Sequence, residues 1–209
     1  MTLTLYTNPQ SRGRIARWMC EELKEAAGVD YEAVVLDYGT TMKAPDYLAL
    51  NPMGKVPAIV HDGTVVTEAA AICAYLADAF PAAGLAPAVR DPARGPYYRW
   101  MFFAAGPLEQ AVINRTLGVT QDADRSRMVG YGSYETAVGA LEGWLAGHDY
   151  VTGRRFTAAD VYVGAAVGWG LAFGTLPKRA AFEDYAGRVM ARPAAQRAAA
   201  IDEALIAKA

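Results

Sequence analysis

Cysteine and histidine are scarce in this chain, with two of each in 209 residues. Cys20 and Cys73 both fall inside helical patterns, which excludes a disulfide framework and a Cys-x-x-Cys dithiol. His61 and His148 stand alone, so there is no metal-ligand spacing and no metal is expected. Charge of one sign is lacking too: the net charge is -2, which leaves no basic surface for a polyanion and no nucleic-acid partner. Long apolar runs are absent. Residues 161–177 carry no charged side chain, but they include Gly164, Gly168, Gly170 and Gly174. They also stop short of the roughly 20 apolar residues a spanning helix needs. Bounded by Asp160 and Lys178, this stretch reads as a helix buried in a soluble core, and no membrane is expected. Met1-Thr2-Leu3-Thr4-Leu5-Tyr6 enters a strand pattern directly, without basic leader or cleavage site, so a cytoplasmic home with reduced cysteines is expected.

What the chain does have is the material for a core, since 53% hydrophobic against 20% charged argues against disorder. Leu3–Thr7 alternates like a strand, Asn8-Pro9-Gln10-Ser11 breaks it, and residues 12–27 show helical spacing of Ile15, Trp18, Met19 and Leu23. Gly28 ends that helix, and residues 31–36 give a second strand, so the opening strand–helix–strand implies a parallel pair. A short helical segment over 42–50 follows. Ala58–His61 and Thr64–Thr67 flank Asp62-Gly63, a strong two-residue hairpin signal. Residues 68–80 form the next helix, with Ile72, Tyr75, Leu76 and Phe80 on one face.

Pro81 to Pro92 is rich in proline and small residues and lacks periodicity, as a linker should. Everything after it reads helical: 93–118, 122–146, a core helix after Phe156, 180–191 and 194–207. The core helix has a Thr157-x-x-Asp160 capping box, with Phe156 and Val161 placed as a hydrophobic staple. The expected division is an α/β domain over 1–80, a linker over 81–92 and an all-α domain over 93–209.

The most specific motif is Asn51-Pro52-Met53-Gly54-Lys55-Val56-Pro57-Ala58, followed by the hairpin and by Glu68 at a helix start. Pro57 cannot donate to a ladder, so it belongs at the first residue of a strand, and a tight X-Pro bond of this kind is expected to be cis. Val56 would then offer its N–H and C=O to an extended ligand as an added strand does. Glu68 suits the positive end of its helix. Ser11 lies at another helix N-terminus, where amide donors and the dipole favour an anion, although an ordinary N-cap serine fits the same position.

This combination resembles the glutathione-binding half of cytosolic glutathione S-transferases, and the chain is similar to the serine-type, bacterial-like members over nearly its whole length. The resemblance implies a thioredoxin-like first domain, a helical second domain, glutathione as co-substrate and a homodimer. It implies that Ser11 stabilises the glutathione thiolate. Lys55 and Met42–Lys43 would approach the glycyl carboxylate, Val56 and Pro57 the cysteinyl backbone, and Glu68 the γ-glutamyl ammonium. Ala69 stands where the family usually has serine, keeping the N–H and losing a hydroxyl. Tyr6 and Asn8 are the other candidates for thiol activation. Tyr97, Trp100 and Phe103 could line a site for a small hydrophobic electrophile. The implied activity is conjugation, as in detoxification. Isomerisation, dehalogenation or peroxide reduction by the same thiolate remain open, as does a non-catalytic interaction protein.

Overall fold

An alternating apolar strand, a helix and a second, exposed strand start the chain. In the computed structural model, which describes residues 2–119 and 126–208, β1 (Leu3–Thr7) buries Leu3, Leu5 and Thr7. Helix α1 (Gly13–Ala27) follows, and Gly28, at φ 67°, closes it by donating its N–H to the Lys24 carbonyl. Strand β2 (Glu32–Val35) pairs parallel with β1; β3 (Ala58–His61) pairs antiparallel with β1, and β4 (Thr64–Thr67) antiparallel with β3. The order is β2-β1-β3-β4, the expected thioredoxin-like arrangement.

The segment expected as one helix over 42–50 is instead a 3-10 turn, Thr41–Lys43, and α2 (Pro45–Leu50). Ala44 between them is extended, because Pro45 disfavours helical backbone at the residue before it. Helix α3 (Ala69–Ala79) completes the α/β part, with Ile72, Cys73 and Leu76 buried. Burial pushes the free thiol of Cys20 up to about 12, and that of Cys73 further in the same direction.

The helical region begins with α4 (Arg94–Phe103), a π-helical turn (Ala104–Leu108) and α5 (Glu109–Thr116). A continuous α-helix was expected here. Pro107 has no N–H for the Phe103 carbonyl, and its ring crowds that carbonyl, so the helix widens to a π turn. Of the helix expected over 122–146, residues 122–125 lie outside the described residues. The remainder holds a 3-10 turn (Ser126–Met128) and α6 (Tyr134–Leu145), which starts at a Ser133 cap. Next come α7 (Ala158–Ala172), α8 (Ala180–Met190) and α9 (Pro193–Ile206). The chargeless stretch is the buried α7 and its exit, where Leu176 N–H returns to the Gly170 carbonyl. A Cβ on Gly170 would lie 2.5 Å from Leu176 Cγ, so only glycine admits this return. Among the described residues no helix is long and apolar enough to cross a membrane.

One boundary differs from the expected division at 93–209. The first compact unit is Met1–Ala86 together with Ala191–Ala209, and the second is Pro87–Met190. The reason is a charge-matched packing of α9 along α1. Arg192 grips the buried Glu22 with two bonds of 2.7 Å, while Arg197 meets Glu21 and Glu25. At the other end Arg17 donates to Asp202 at 2.8 Å, with both side chains buried, and Arg14 donates to Glu203. Periodicity shows that α9 is amphipathic but not which helix it meets.

Within the second unit, the capping box of α7 is formed as expected. Asp160 Oδ2 accepts the N–H and hydroxyl of Thr157, and Oδ1 accepts Val151 N–H and Tyr185 O–H. Burial pushes this carboxyl up to about 6, against the pull of its hydrogen bonds. The folded state therefore holds the proton more tightly than the unfolded chain, so this titration lowers stability as pH rises from 3.8 to about 6. Asp160→Asn should remove that component of the slope. It should also cost about 1–3 kcal/mol at neutral pH by leaving buried donors unpaired. Urea denaturation of both proteins between pH 4 and 7 measures the difference; parallel curves would contradict it.

Candidate functional site

The strand register gathers the candidate residues at one end of the sheet. Ala58 lies opposite Tyr6 on one side and Thr67 on the other. The ends of β1 and β4 and the start of β3 are therefore neighbours. Ser11, Val56-Pro57 and Glu68 emerge there, together with the N-termini of α1 and α3.

The turn that holds Ser11 is built by Asn8. Its Nδ2 donates to the Leu36 carbonyl at 2.8 Å and its Oδ1 accepts Gln10 N–H at 2.9 Å. Asn8 is thus a buried turn former rather than an open donor. Ser11 is half-buried; its hydroxyl donates to the Asn8 carbonyl at 2.7 Å and accepts Gly13 N–H at 2.8 Å. That carbonyl also accepts Ser11 N–H at 3.1 Å. The hydroxyl hydrogen can therefore turn toward an anion while the carbonyl keeps a partner. Tyr6 packs its ring 5.5 Å from Tyr47, against Leu36, Met42 and Ala58, as a core tyrosine does. Thr7, not singled out from the sequence, is fully buried with an Oγ1 that has no hydrogen-bond partner.

The Asn51–Pro57 segment is a clamp around the backbone of Lys55. Asn51 Oδ1 accepts Met53 N–H, its carbonyl accepts Gly54 N–H, and its Nδ2 donates to the Lys55 carbonyl at 2.8 Å. Tyr47 donates its hydroxyl to the same carbonyl at 2.5 Å. Tyr47 is thus a support that sequence reasoning missed, and Asn51, read there only as the start of the motif, is a second. An Asn before a proline with glycine three residues on is the turn signal that could have found Asn51. Gly54 is at φ 55°, and a Cβ there would sit 2.8 Å from the Met42 carbonyl and 2.7 Å from Lys43 Nζ. The clamp aims Val56, and the Val56-Pro57 bond is cis. Among the described residues no hydrogen bond is made by the Val56 N–H or carbonyl. The Lys55 side chain is exposed. Lys43, by contrast, donates to the Gly54 and Met53 carbonyls, and Met42 is buried in the core. The structure thus uses both to hold the loop.

Glu68 is exposed at the N-terminus of α3 with φ 68° and ψ 117°. A non-glycine residue held at positive φ costs on the order of 1–3 kcal/mol, and such strain concentrates at functional sites. Ala69 begins the helix and is buried. In the second unit Tyr97 and Trp100 are fully buried, and Phe103, half-buried, meets Trp100 edge-on at 5.2 Å. Of the three, only Phe103 presents surface. No group of three or more possible metal ligands occurs among the described residues.

Residues 1–78 match the family described as the glutathione S-transferase N-terminal domain. Glutathione S-transferase GST-4.5 of Xanthomonas campestris pv. campestris is 31% identical over 176 residues, which is 80% of this chain and 82% of that protein. Among solved structures, a glutathione transferase from Methylococcus capsulatus aligns with a TM-score of 0.78 at 28% identity, over 97% of this chain and all of the other. A sphingomonad glutathione S-transferase complexed with glutathione aligns with a TM-score of 0.76 at 31% identity, over 96% and 98%.

Gly13 offers a direct check on the site's construction. A Cβ there would fall 2.1 Å from Thr7 Oγ1 and 2.9 Å from Ser11 Oγ. Gly13→Ala should therefore displace both hydroxyls and destabilise the protein by about 1–3 kcal/mol, as overpacking does. Unchanged stability in chemical denaturation would mean that this turn is not close-packed.

Proposed function

The chain belongs to the glutathione S-transferase family, and from that premise we propose how its own residues work. It is a glutathione transferase, with glutathione as co-substrate. The thiolate attacks an electrophilic centre of a hydrophobic molecule, and Ser11 stabilises the thiolate in the manner of the serine-type members. The supporting observation is the shared end of the sheet, where Ser11, Val56-Pro57 and Glu68 stand beside two helix N-termini.

Glutathione lies across that end of the sheet, its cysteinyl backbone paired with Val56 as an added strand pairs. Lys55 meets the glycyl carboxylate. Glu68 meets the γ-glutamyl ammonium, and the Ala69 N–H meets the γ-glutamyl carboxylate. Asn8, Lys43 and Pro57 shape the loops that carry these contacts. A free thiol has a pKa of about 8.5, and lowering it by about two units stabilises the anion by roughly 2.7 kcal/mol. The Ser11 hydroxyl and the end of α1 supply that stabilisation, because charge-assisted hydrogen bonds are roughly twice as strong as neutral ones.

The electrophile is received by aromatic groups of the helical region after residue 93, of which Phe103 is half-buried while Tyr97 and Trp100 are buried. The working form is a homodimer in the cytoplasm, where the two buried thiols stay reduced. Isomerase, dehalogenase or peroxidase chemistry would begin with the same thiolate.

The test is Ser11→Ala. Glutathione should still bind, the bound thiol should titrate at higher pH, and turnover near neutrality should fall by about 10- to 100-fold. Ultraviolet absorbance of the thiolate and the pH–rate profile read both effects. An unchanged pKa and rate would move activation to another group. Glu68→Gln should raise KM for glutathione more than it alters kcat, since the γ-glutamyl end is remote from sulfur. A collapse of kcat at unchanged KM would contradict that assignment.

A further inference from the structure

Helices α1 and α9 carry their charges against their own dipoles. The first turn of α1 holds Arg14 and no acidic residue, although a cation is disfavoured at a helix N-terminus. Asp202 and Glu203 lie near the C-terminal end of α9, where carboxylates are equally disfavoured. The two helices run antiparallel, so each offsets the other. Arg14 donates to Glu203 Oε1 at 2.7 Å and lies 4.0 Å from Asp202 Oδ2; Arg17 meets Asp202 Oδ1 at 2.8 Å. Arg17 Nη2 and Asp202 Oδ2 are buried without hydrogen-bond partners, so the inner pair is only partly satisfied. The outer pair is accessible, with side chains 26% and 61% exposed. The cations belong to the helix whose end follows Ser11, and the carboxylates stand one helix further back. Arg12, exposed at that same end, adds a third cation.

We propose that Glu203, with Asp202 beside it, is an electrostatic counterweight that sets the acidity of the thiol bound at Ser11 by drawing the charge of Arg14 away from it. This rests on the proposed function. Neither residue takes the thiol proton, which leaves to solvent; both act through the potential at the end of α1. The C-terminal helix thereby tunes a site whose other parts all lie in the first 70 residues.

The test uses the full chain, with the pKa of bound glutathione read from thiolate absorbance. At low ionic strength Glu203→Gln should lower that pKa by about half a unit and Arg14→Met should raise it by a similar amount. Both shifts should shrink near 1 M salt, where the screening length is about 3 Å. Lys24→Met removes a cation roughly 15 Å further along α1 and should change nothing. S-methylglutathione, which has no thiol to ionise, should bind all variants alike. A purely structural role would move Glu203→Gln and Arg14→Met in the same direction; that result, or no shift in either, overturns the inference. No thiolate band in the unaltered protein would overturn it together with the proposed function. A band indifferent to both substitutions overturns the inference alone.

Discussion

The pairing of β3 between β1 and β4 is the constraint on which the rest of the site depends. Ala58 opposite Tyr6 and Thr67 opposite Ala58 bring three loops from distant parts of the first 70 residues to one end of the sheet. Side chains on a strand alternate faces, so a slip of one residue would turn Leu5 and Ile59 out of the core. Both are fully buried, which pins the register. The loops then need only short-range devices to complete the site. Asn8 folds the Ser11 turn, Asn51 and Tyr47 hold the Lys55 carbonyl, and the backbone of Glu68 adopts positive φ.

These devices differ in what they ask of a ligand. The Lys55 clamp is complete without one, since its carbonyl already has two donors. The Ser11 hydroxyl is not fixed in the same way: the Asn8 carbonyl it addresses has a second donor in Ser11 N–H, so redirecting it leaves no buried group unpaired. That difference separates scaffold from chemistry. Unpaired buried polar atoms occur at Thr7 Oγ1, at Arg17 Nη2 and Asp202 Oδ2, and in α4 at Trp100 Nε1. A fully relaxed core would not choose them, because each unpaired buried group costs about 1–3 kcal/mol.

Local signals were the legible part of the sequence. The hairpin strands, the Gly28 stop and the Thr157–Asp160 box all depend on residues within a few positions of one another. The Ser11, Val56 and Glu68 placements were legible for the same reason: each sits at the end of an element whose pattern is clear. What was not legible depended on a partner distant in sequence, or on a proline acting inside a run. Pro45 split one helix and Pro107 widened another. Lys43, expected to approach the glycyl carboxylate, donates instead to the Gly54 carbonyl. Tyr97 and Trp100, candidates for lining an electrophile site, are buried in the core. The grouping of α9 with α1 joins residues separated by about the whole chain, and no periodicity encodes that choice.

The central claim is that one end of the sheet binds glutathione with its sulfur at Ser11. A crystal structure of the chain with glutathione tests it most directly. The predicted complex has the sulfur in contact with Ser11 Oγ, the cysteinyl N–H and C=O paired with the backbone of Val56, and the γ-glutamyl ammonium on Glu68. A tripeptide bound away from this end of the sheet, or with its sulfur against Tyr6 and out of reach of Ser11, would contradict the account.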